Sequence, residues 1–311
     1  MSTKNILSLV VILIIIIGGA YYFLNSGEEA NYNRNTPPAV INEVIDDIET
    51  EDTTVPTEEP ITEIGPVEQI GKSVSGNAIT AYHFGNGEKE LLFIGGIHGG
   101  YSWNTALLGF ELVDWFKTNE AKIPNNIKVT VIPVLNPDGL AKVTGKTDRF
   151  TMSDVNKTES VRTAGRFNAN NVDLNRNFAC EWQAVGTWQN KEVSGGAAAF
   201  SEPEAQAIKA YVERNEPTAV VTWYSAAGGV YASDCKNGVS KDTLALTNLF
   251  AKASGYTAHE EFDYYEITGD MVNWLASQRI PAISVLLTNH EQTEFAKNLA
   301  GVEAVLNYYA N

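Results

Sequence analysis

The sequence has only two cysteines, Cys180 and Cys235, among 311 residues. That excludes a disulfide-dense scaffold and any multi-cysteine zinc site. Basic residues are also scarce: 22 Lys and Arg stand against 38 Asp and Glu, for a net charge of −16. Phosphate binding needs a basic footprint, so no nucleic-acid partner is expected. There is no polybasic patch for anionic lipid, and no internal repeat. No cysteine follows the first apolar run, which excludes a lipoprotein anchor.

What is present begins with that run. Residues 6–24, ILSLVVILIIIIGGAYYFL, carry no charge, and roughly 20 apolar residues span a bilayer. Lys4 precedes the run, and Glu28 and Glu29 follow it. The positive side stays inside, so residues 1–5 are expected as a cytoplasmic stub and the bulk outside the cytoplasm. The run reads as a single-pass transmembrane anchor. Cleavage near Gly18-Gly19-Ala20 would instead make it a signal peptide and the protein secreted. Residues 1–66 hold 11 acids and 2 bases, with Pro37, Pro38, Pro56, Pro60 and Pro66. The stretch 25–66 has too little apolar area to offset its ordering entropy and reads as an acidic, disordered linker. Within it, residues 39–49 have weak helical spacing. The remainder, 67–311, suits one α/β domain.

From residue 67 strand-like and helix-like segments alternate. Residues 78–84 (AITAYHF) and 89–95 (KELLFIG) read as strands around an Asn86-Gly87 turn. Apolar spacing marks 103–118 as a helix, and 127–135 (IKVTVIPVL) as a buried strand. Ser201-Glu202-Pro203-Glu204 reads as a capping box opening a helix that runs to about Arg214. Strand 218–223, helices 241–254 and 268–278, strand 282–287 and helix 292–309 complete the pattern. The expectation is an α/β fold, a mostly parallel mixed sheet with helices on both faces. Active groups in such folds gather at the carboxyl ends of the strands.

Four short segments fall at those ends: GGIHGGYSWNT (95–105), NPDG (136–139), NVDLNRNF (171–178) and YEITGDMVNWL (265–275). A fifth, SGGAAAFSEPEAQAI (194–208), joins them. Taken in chain order they resemble the zinc carboxypeptidases of the carboxypeptidase A type, across nearly all of residues 67–311. The resemblance implies a carboxypeptidase-like fold and a definite chemistry. Two histidines and a glutamate hold Zn²⁺ and leave one position for water. A second glutamate acts on that water as general base. An Asn-Arg pair and a tyrosine grip the terminal carboxylate of the substrate.

Residue by residue, the metal half of that pattern is replaced. His98 matches the first metal histidine and is the one surviving ligand position. The acidic ligand should follow three or four residues later, where Tyr101 and Ser102 stand; an HGGYE version of the segment would place it at Ser102. Glu111 is too far along the helix to share a metal with His98. Tyr224 occupies the second histidine position, and a neutral phenol with a pKa of about 10 is a poor zinc ligand. Leu286 occupies the general-base position, so no catalytic residue is intact. His290 falls past the strand end, and His83 and His259 lie outside the motifs.

The gripping half is retained. Asn175 and Arg176 match the carboxylate-binding pair, and a planar guanidinium suits a two-oxygen ligand. Tyr265 matches the mobile tyrosine, and Val272 falls where the family sets side-chain preference, which implies an apolar pocket. Arg166 is a candidate second cation. Plainer readings stand beside these. Arg176 could pair with Asp173, Tyr265 could be a surface residue, and His98 a hydrogen-bonded cleft histidine. Asp138 would be a turn residue, Glu202 and Glu204 would serve a helix start, and Trp103 and Trp274 would be core. Glu260, Glu261 and Asp263 would be solvated surface. Cys180 and Cys235, on loops that should border one cleft, would pair in an outward-facing domain or remain two buried thiols.

The resulting expectation is a membrane-anchored carboxypeptidase-like domain that has lost zinc and hydrolysis. It would bind a peptide, or a cell-envelope peptide, by a free carboxylate, with no cofactor. One alternative is an active zinc carboxypeptidase with rearranged ligands, which would need zinc. The other is a structural surface protein with an empty cleft. Nothing in the sequence specifies an oligomer.

Overall fold

The computed structural model describes residues 66–311. The stub, the apolar run 6–24 and nearly all of the acidic stretch lie outside the described residues. Among the described residues no helix is long and apolar enough to cross a membrane.

Eight strands form one sheet in the order β1-β2-β4-β3-β7-β10-β8-β9. These are β1 (Val67–Lys72), β2 (Ala78–Phe84), β3 (Lys89–Ile94), β4 (Ile127–Ile132), β7 (Ala219–Ser225), β8 (Gly229–Ala232), β9 (Thr257–His259) and β10 (Ala282–Leu287). Pairing is parallel between β4 and β3, β3 and β7, β7 and β10, and β8 and β9; it is antiparallel for β1 with β2, β2 with β4, and β10 with β8. The mostly parallel mixed sheet read from the alternation is therefore present. Strands β5 (Val185–Trp188) and β6 (Lys191–Ser194) form a separate hairpin.

Helices cover both faces because the central strands are apolar on both sides. In β3, Leu91 and Phe93 point to one core and Leu92 and Ile94 to the other. The first core receives residues from α1 (Trp103–Asn119), α5 (Lys241–Ser254) and α7 (Phe295–Ala310). The second receives α4 (Pro203–Asn215) and α6 (Met271–Ser277). Two further helices, α2 (Pro137–Thr144) and α3 (Glu159–Ala164), lie between β4 and β5 in the chain.

Several local expectations are corrected. Strands β2 and β3 do not form a hairpin, because β4 inserts between them and pairs with both. Gly87 instead packs against the backbone of Asn126 and Ile127. The capping box is not formed at α4: Glu202 occupies the N-cap without a side-chain cap bond. Its carboxylate accepts from Asn168 and Asn170, and Glu204 accepts from the Val74 amide, so both acids pin neighbouring loops. Asn136-Pro137-Asp138-Gly139 opens α2 rather than a simple turn. Asn136 Oδ1 caps the Gly139 amide at 2.8 Å, and Asp138 accepts from Ser73 and Asn77. Strand β7 runs past residue 223 to Ser225, which puts Tyr224 on the strand itself. Helix α6 begins only at Met271, because Asp270 caps it through the Asn273 amide at 2.9 Å. Trp103 and Trp274 are core residues, 2% and 3% exposed.

Candidate functional site

A cavity of about 1140 Å³ opens at the carboxyl ends of β3, β7 and β10. That is where the segment after β3, the end of β7 and the loop before α6 converge. Register explains part of its floor. Tyr224 on β7 lies beside Leu286 on β10, so both point to the same face. Both line the cavity with His98 and are buried.

Arg176 is 1% exposed and forms no ion pair among the described residues. Three protein hydrogen bonds aim it. Nε and Nη2 donate to the Thr187 carbonyl at 3.1 and 2.6 Å, and Nη1 donates to the Asn175 carbonyl at 2.7 Å. A guanidinium carries five N–H groups, so two are left over. The Tyr265 ring lies 5.9 Å from the guanidinium carbon. Two glycines make the fit possible. A Cβ on Gly269, whose φ is +63, would lie 2.2 Å from the Arg176 carbonyl oxygen. A Cβ on Gly186 would lie 2.8 Å from Arg176 Cδ. The suggested Arg176–Asp173 pair is not formed; Arg166 takes that partner, with Nε 2.8 Å from Asp173 Oδ2. The Arg166 guanidinium also lies 4.4 Å from the Trp188 ring on the β5–β6 hairpin.

Asn175 is fully committed on its oxygen side. Its Oδ1 accepts from the Tyr224 hydroxyl at 3.1 Å and from the Met271 amide at 3.3 Å, while Nδ2 donates to Asp270 Oδ2 at 2.7 Å. Tyr224 thus orients Asn175. Burial, and then the nearby Asp270, push its phenol well above the ordinary value, so it stays protonated and donates. Burial likewise raises the Asp270 carboxyl, against the Asn273 amide and Arg176.

His98 is 5% exposed, and neither ring nitrogen has a hydrogen-bond partner. Nε2 lies 3.5 Å from Asp173 Oδ1, too long for a good bond. Burial, with the Arg166 charge adding to it, lowers the imidazole to about 4, so it is neutral at pH 7. Burial alone would raise Asp173, but Arg166, with His98 and Arg176 adding to it, outweighs burial and holds the carboxyl well below the usual range. The His98 ring packs against Tyr224 at 5.5 Å between centroids.

Tyr101, not Ser102, lines the cavity beside His98. The Ser102 Oγ is buried without a partner at the start of α1, outside that lining. The Tyr101 ring meets His290 at 4.7 Å and Trp188 at 5.0 Å. His290, which follows β10 beyond the expected motif, also lines the cavity, and burial lowers it to about 4. Glu260, Glu261 and Asp263 are exposed, as solvated surface would be, yet all three line the cavity. Arg166, Asn175, Arg176, Tyr265 and Val272 line it too. Cys180 and Cys235 are disulfide-bonded, with Cα atoms 6.0 Å apart.

The donor set does not fit zinc. One imidazole and two phenols stand where two imidazoles and a carboxylate are needed to hold zinc, and a leucine stands at the general-base position. Among the described residues no cluster of three His, Cys, Asp or Glu could hold a metal ion. What the arrangement can do is bind an anion at Arg176 and orient it with Tyr265.

The sequence pattern of the zinc carboxypeptidases matches residues 57–298. The chain is 30% identical over 155 residues to carboxypeptidase B of Astacus astacus, covering 47% of this chain and 49% of that one. It is 27% identical over 162 residues to an inactive metallocarboxypeptidase of Saccharomyces cerevisiae, 48% of this chain and 36% of that one. The chain spans about half the length of the curated relatives it matches first. Its fold superposes on bovine thrombin-activatable fibrinolysis inhibitor, solved in complex with tick carboxypeptidase inhibitor, with a TM-score of 0.63 at 19% identity. That match covers 78% of this chain and 90% of the other, and at such identity the likeness is one of fold. The chain belongs to the zinc carboxypeptidase family.

Proposed function

We propose that the domain binds the C-terminal carboxylate of a peptide, or of a peptide-like envelope component, and does not hydrolyse it. The observation that carries this reading is Arg176: a buried cation, aimed by two carbonyls, lining a large cavity without an anionic partner. A buried charge left unpaired is costly, and a ligand carboxylate would relieve it. Hydrolysis is not proposed, because Leu286 cannot move a proton and Tyr224 is engaged with Asn175. The inactive yeast relative is in keeping with a family fold kept after loss of chemistry. The apolar run 6–24 supports the further proposal that the domain is tethered to a membrane outside the cytoplasm.

The test is calorimetric titration of a free-acid peptide into the full-length chain and into its Arg176→Glu variant. Binding is expected to weaken about 100-fold or more, as for truncated buried charge pairs. Equal affinity would end the carboxylate reading. A chelator-sensitive peptidase activity of the unaltered chain would favour a rearranged enzyme. The absence of a thermal shift with any peptide would favour an empty, structural cleft.

A further inference from the structure

A covalent site lies outside the cavity. N-linked sugars are added to asparagine where serine or threonine stands two residues later and the residue between is not proline. The chain is rich in asparagine, yet one triplet alone meets that rule: Asn156-Lys157-Thr158. Asn25-Ser26 and Asn104-Thr105 miss the spacing, and Asn35 has Pro37 where the hydroxyl is needed.

The fold puts this triplet where an enzyme can reach it. It lies in the loop between a short 3-10 turn, Met152–Asp154, and α3. Residues 156–160 are all exposed. The backbone is pinned at one point, where the Asn156 amide donates to the Val143 carbonyl at 2.9 Å. Asn156 Oδ1 accepts from the Thr158 amide at 2.9 Å, which closes a side-chain turn and brings the carboxamide beside the threonine. Nδ2 of Asn156 has no hydrogen-bond partner among the described residues. Thr158 is the N-cap of α3, a position where the hydroxyl ordinarily accepts from the first turn. Here it makes no cap bond. The amide nitrogen and the hydroxyl, the two groups that define the acceptor, are therefore both free.

Compartment and tolerance agree with this. The Cys180–Cys235 bond belongs to oxidising surroundings outside the cytoplasm, where such sugars are also added. No residue of 151–160 lines the cavity, so a sugar on this loop leaves it open. Met152, four residues before Asn156, is 57% exposed and borders a shallow groove with Leu107, so the loop carries an apolar side chain that a sugar would shield.

We infer that Asn156 is an N-glycosylation site. The donor is a sugar carried on a lipid diphosphate and delivered by a membrane-bound transferase. The bond that forms joins Nδ2 to the anomeric carbon of the sugar. The bond that breaks is the one from that carbon to the diphosphate oxygen, which leaves with the electron pair. Nδ2 gives up one proton to a base of the transferase, and nothing is oxidised or reduced. The inference is independent of the carboxylate reading; it rests on the proposed location outside the cytoplasm.

The full-length chain is purified from its own cells and its peptides are read by mass spectrometry, before and after an amidase that converts sugar-bearing Asn to Asp. A sugar on Asn156 is expected. It should be lost in Asn156→Gln and in Thr158→Ala and kept in Thr158→Ser. Labelling of lysines on intact cells with a membrane-impermeant reagent reports the location separately. An unmodified Asn156 in a chain that labels overturns the site and leaves the outward location standing. An unmodified Asn156 in a chain that does not label overturns both. A sugar that survives Thr158→Ala overturns the acceptor assignment. The unaltered chain decides the matter even if a variant fails to fold.

Discussion

Arg176 and His98 line the same cavity, yet their surroundings differ in kind. Arg176 is aimed by backbone carbonyls that its own neighbours supply, from Asn175 and from Thr187 on the β5–β6 hairpin. His98 has no such support: the Tyr224 ring packs on it, Tyr101 lines the same cavity, and neither ring nitrogen is hydrogen-bonded. A binding site for an anion can persist when one cation and its backbone supports persist. A zinc site cannot, because it needs three protein donors at once. On the proposed reading, one cavity loses its chemistry and keeps its grip, since the two depend on different residues.

The sharpest way to break this contrast is to rebuild the metal half. Tyr101→Glu, Tyr224→His and Leu286→Glu together should turn a chain that retains no zinc after loading and dialysis into one retaining about one zinc per chain. Metal analysis of both proteins reads this directly. Zinc already held by the unaltered chain would show that donors were drawn from elsewhere.

A second test touches the grip alone. The Cys180–Cys235 bond ties the loop following Arg176 to the loop following β8, and the Cys180 carbonyl accepts from the Gly269 amide at 2.8 Å. The bonded residues lie 55 apart in sequence, so replacing both by serine should cost about 4 kcal/mol by loop-closure entropy. For a domain of this size that is roughly 10 °C in melting temperature, read by calorimetry. Peptide binding should weaken in the same variant, because Gly269 no longer has a fixed neighbour. An unchanged melting temperature would mean that the bond closes nothing important.

The smallest effect concerns the link between the halves. Tyr224→Phe removes only the hydroxyl that donates to Asn175. A single neutral hydrogen bond is worth about 1 kcal/mol, so a melt should fall by a few degrees while zinc retention stays at zero. A fall several times larger would show that Tyr224 does more than orient Asn175.

Much of this was legible in the sequence because it was carried by contiguous residues. The NVDLNRNF and YEITGD segments named Asn175, Arg176 and Tyr265, and all three line the cavity. The alternation of strands and helices gave the sheet and its two covers. What was not legible depended on pairing or on distance. The Asn86-Gly87 turn suggested a hairpin, but local turn chemistry says nothing of a third strand, and β4 came between. Strands β8 and β9 are too short, at 4 and 3 residues, to show periodicity. Tyr101 and Ser102 are neighbours, and only the path of the chain into α1 decides which one faces the cavity. Arg166 was a loose candidate, and its exchange of Asp173 for the partner expected of Arg176 needed coordinates to see. Glu260, Glu261 and Asp263 read as solvated surface because exposure and cavity lining are compatible, and sequence cannot separate them.

The central claim is that a carboxylate is held without a metal. It is tested most directly by titrating one peptide, as acid and as amide, into the full-length chain with a chelator present throughout. The account predicts that the acid binds with undiminished affinity, that the amide does not bind, and that the peptide is recovered intact. Loss of binding in chelator, or hydrolysis that chelator stops, would contradict it.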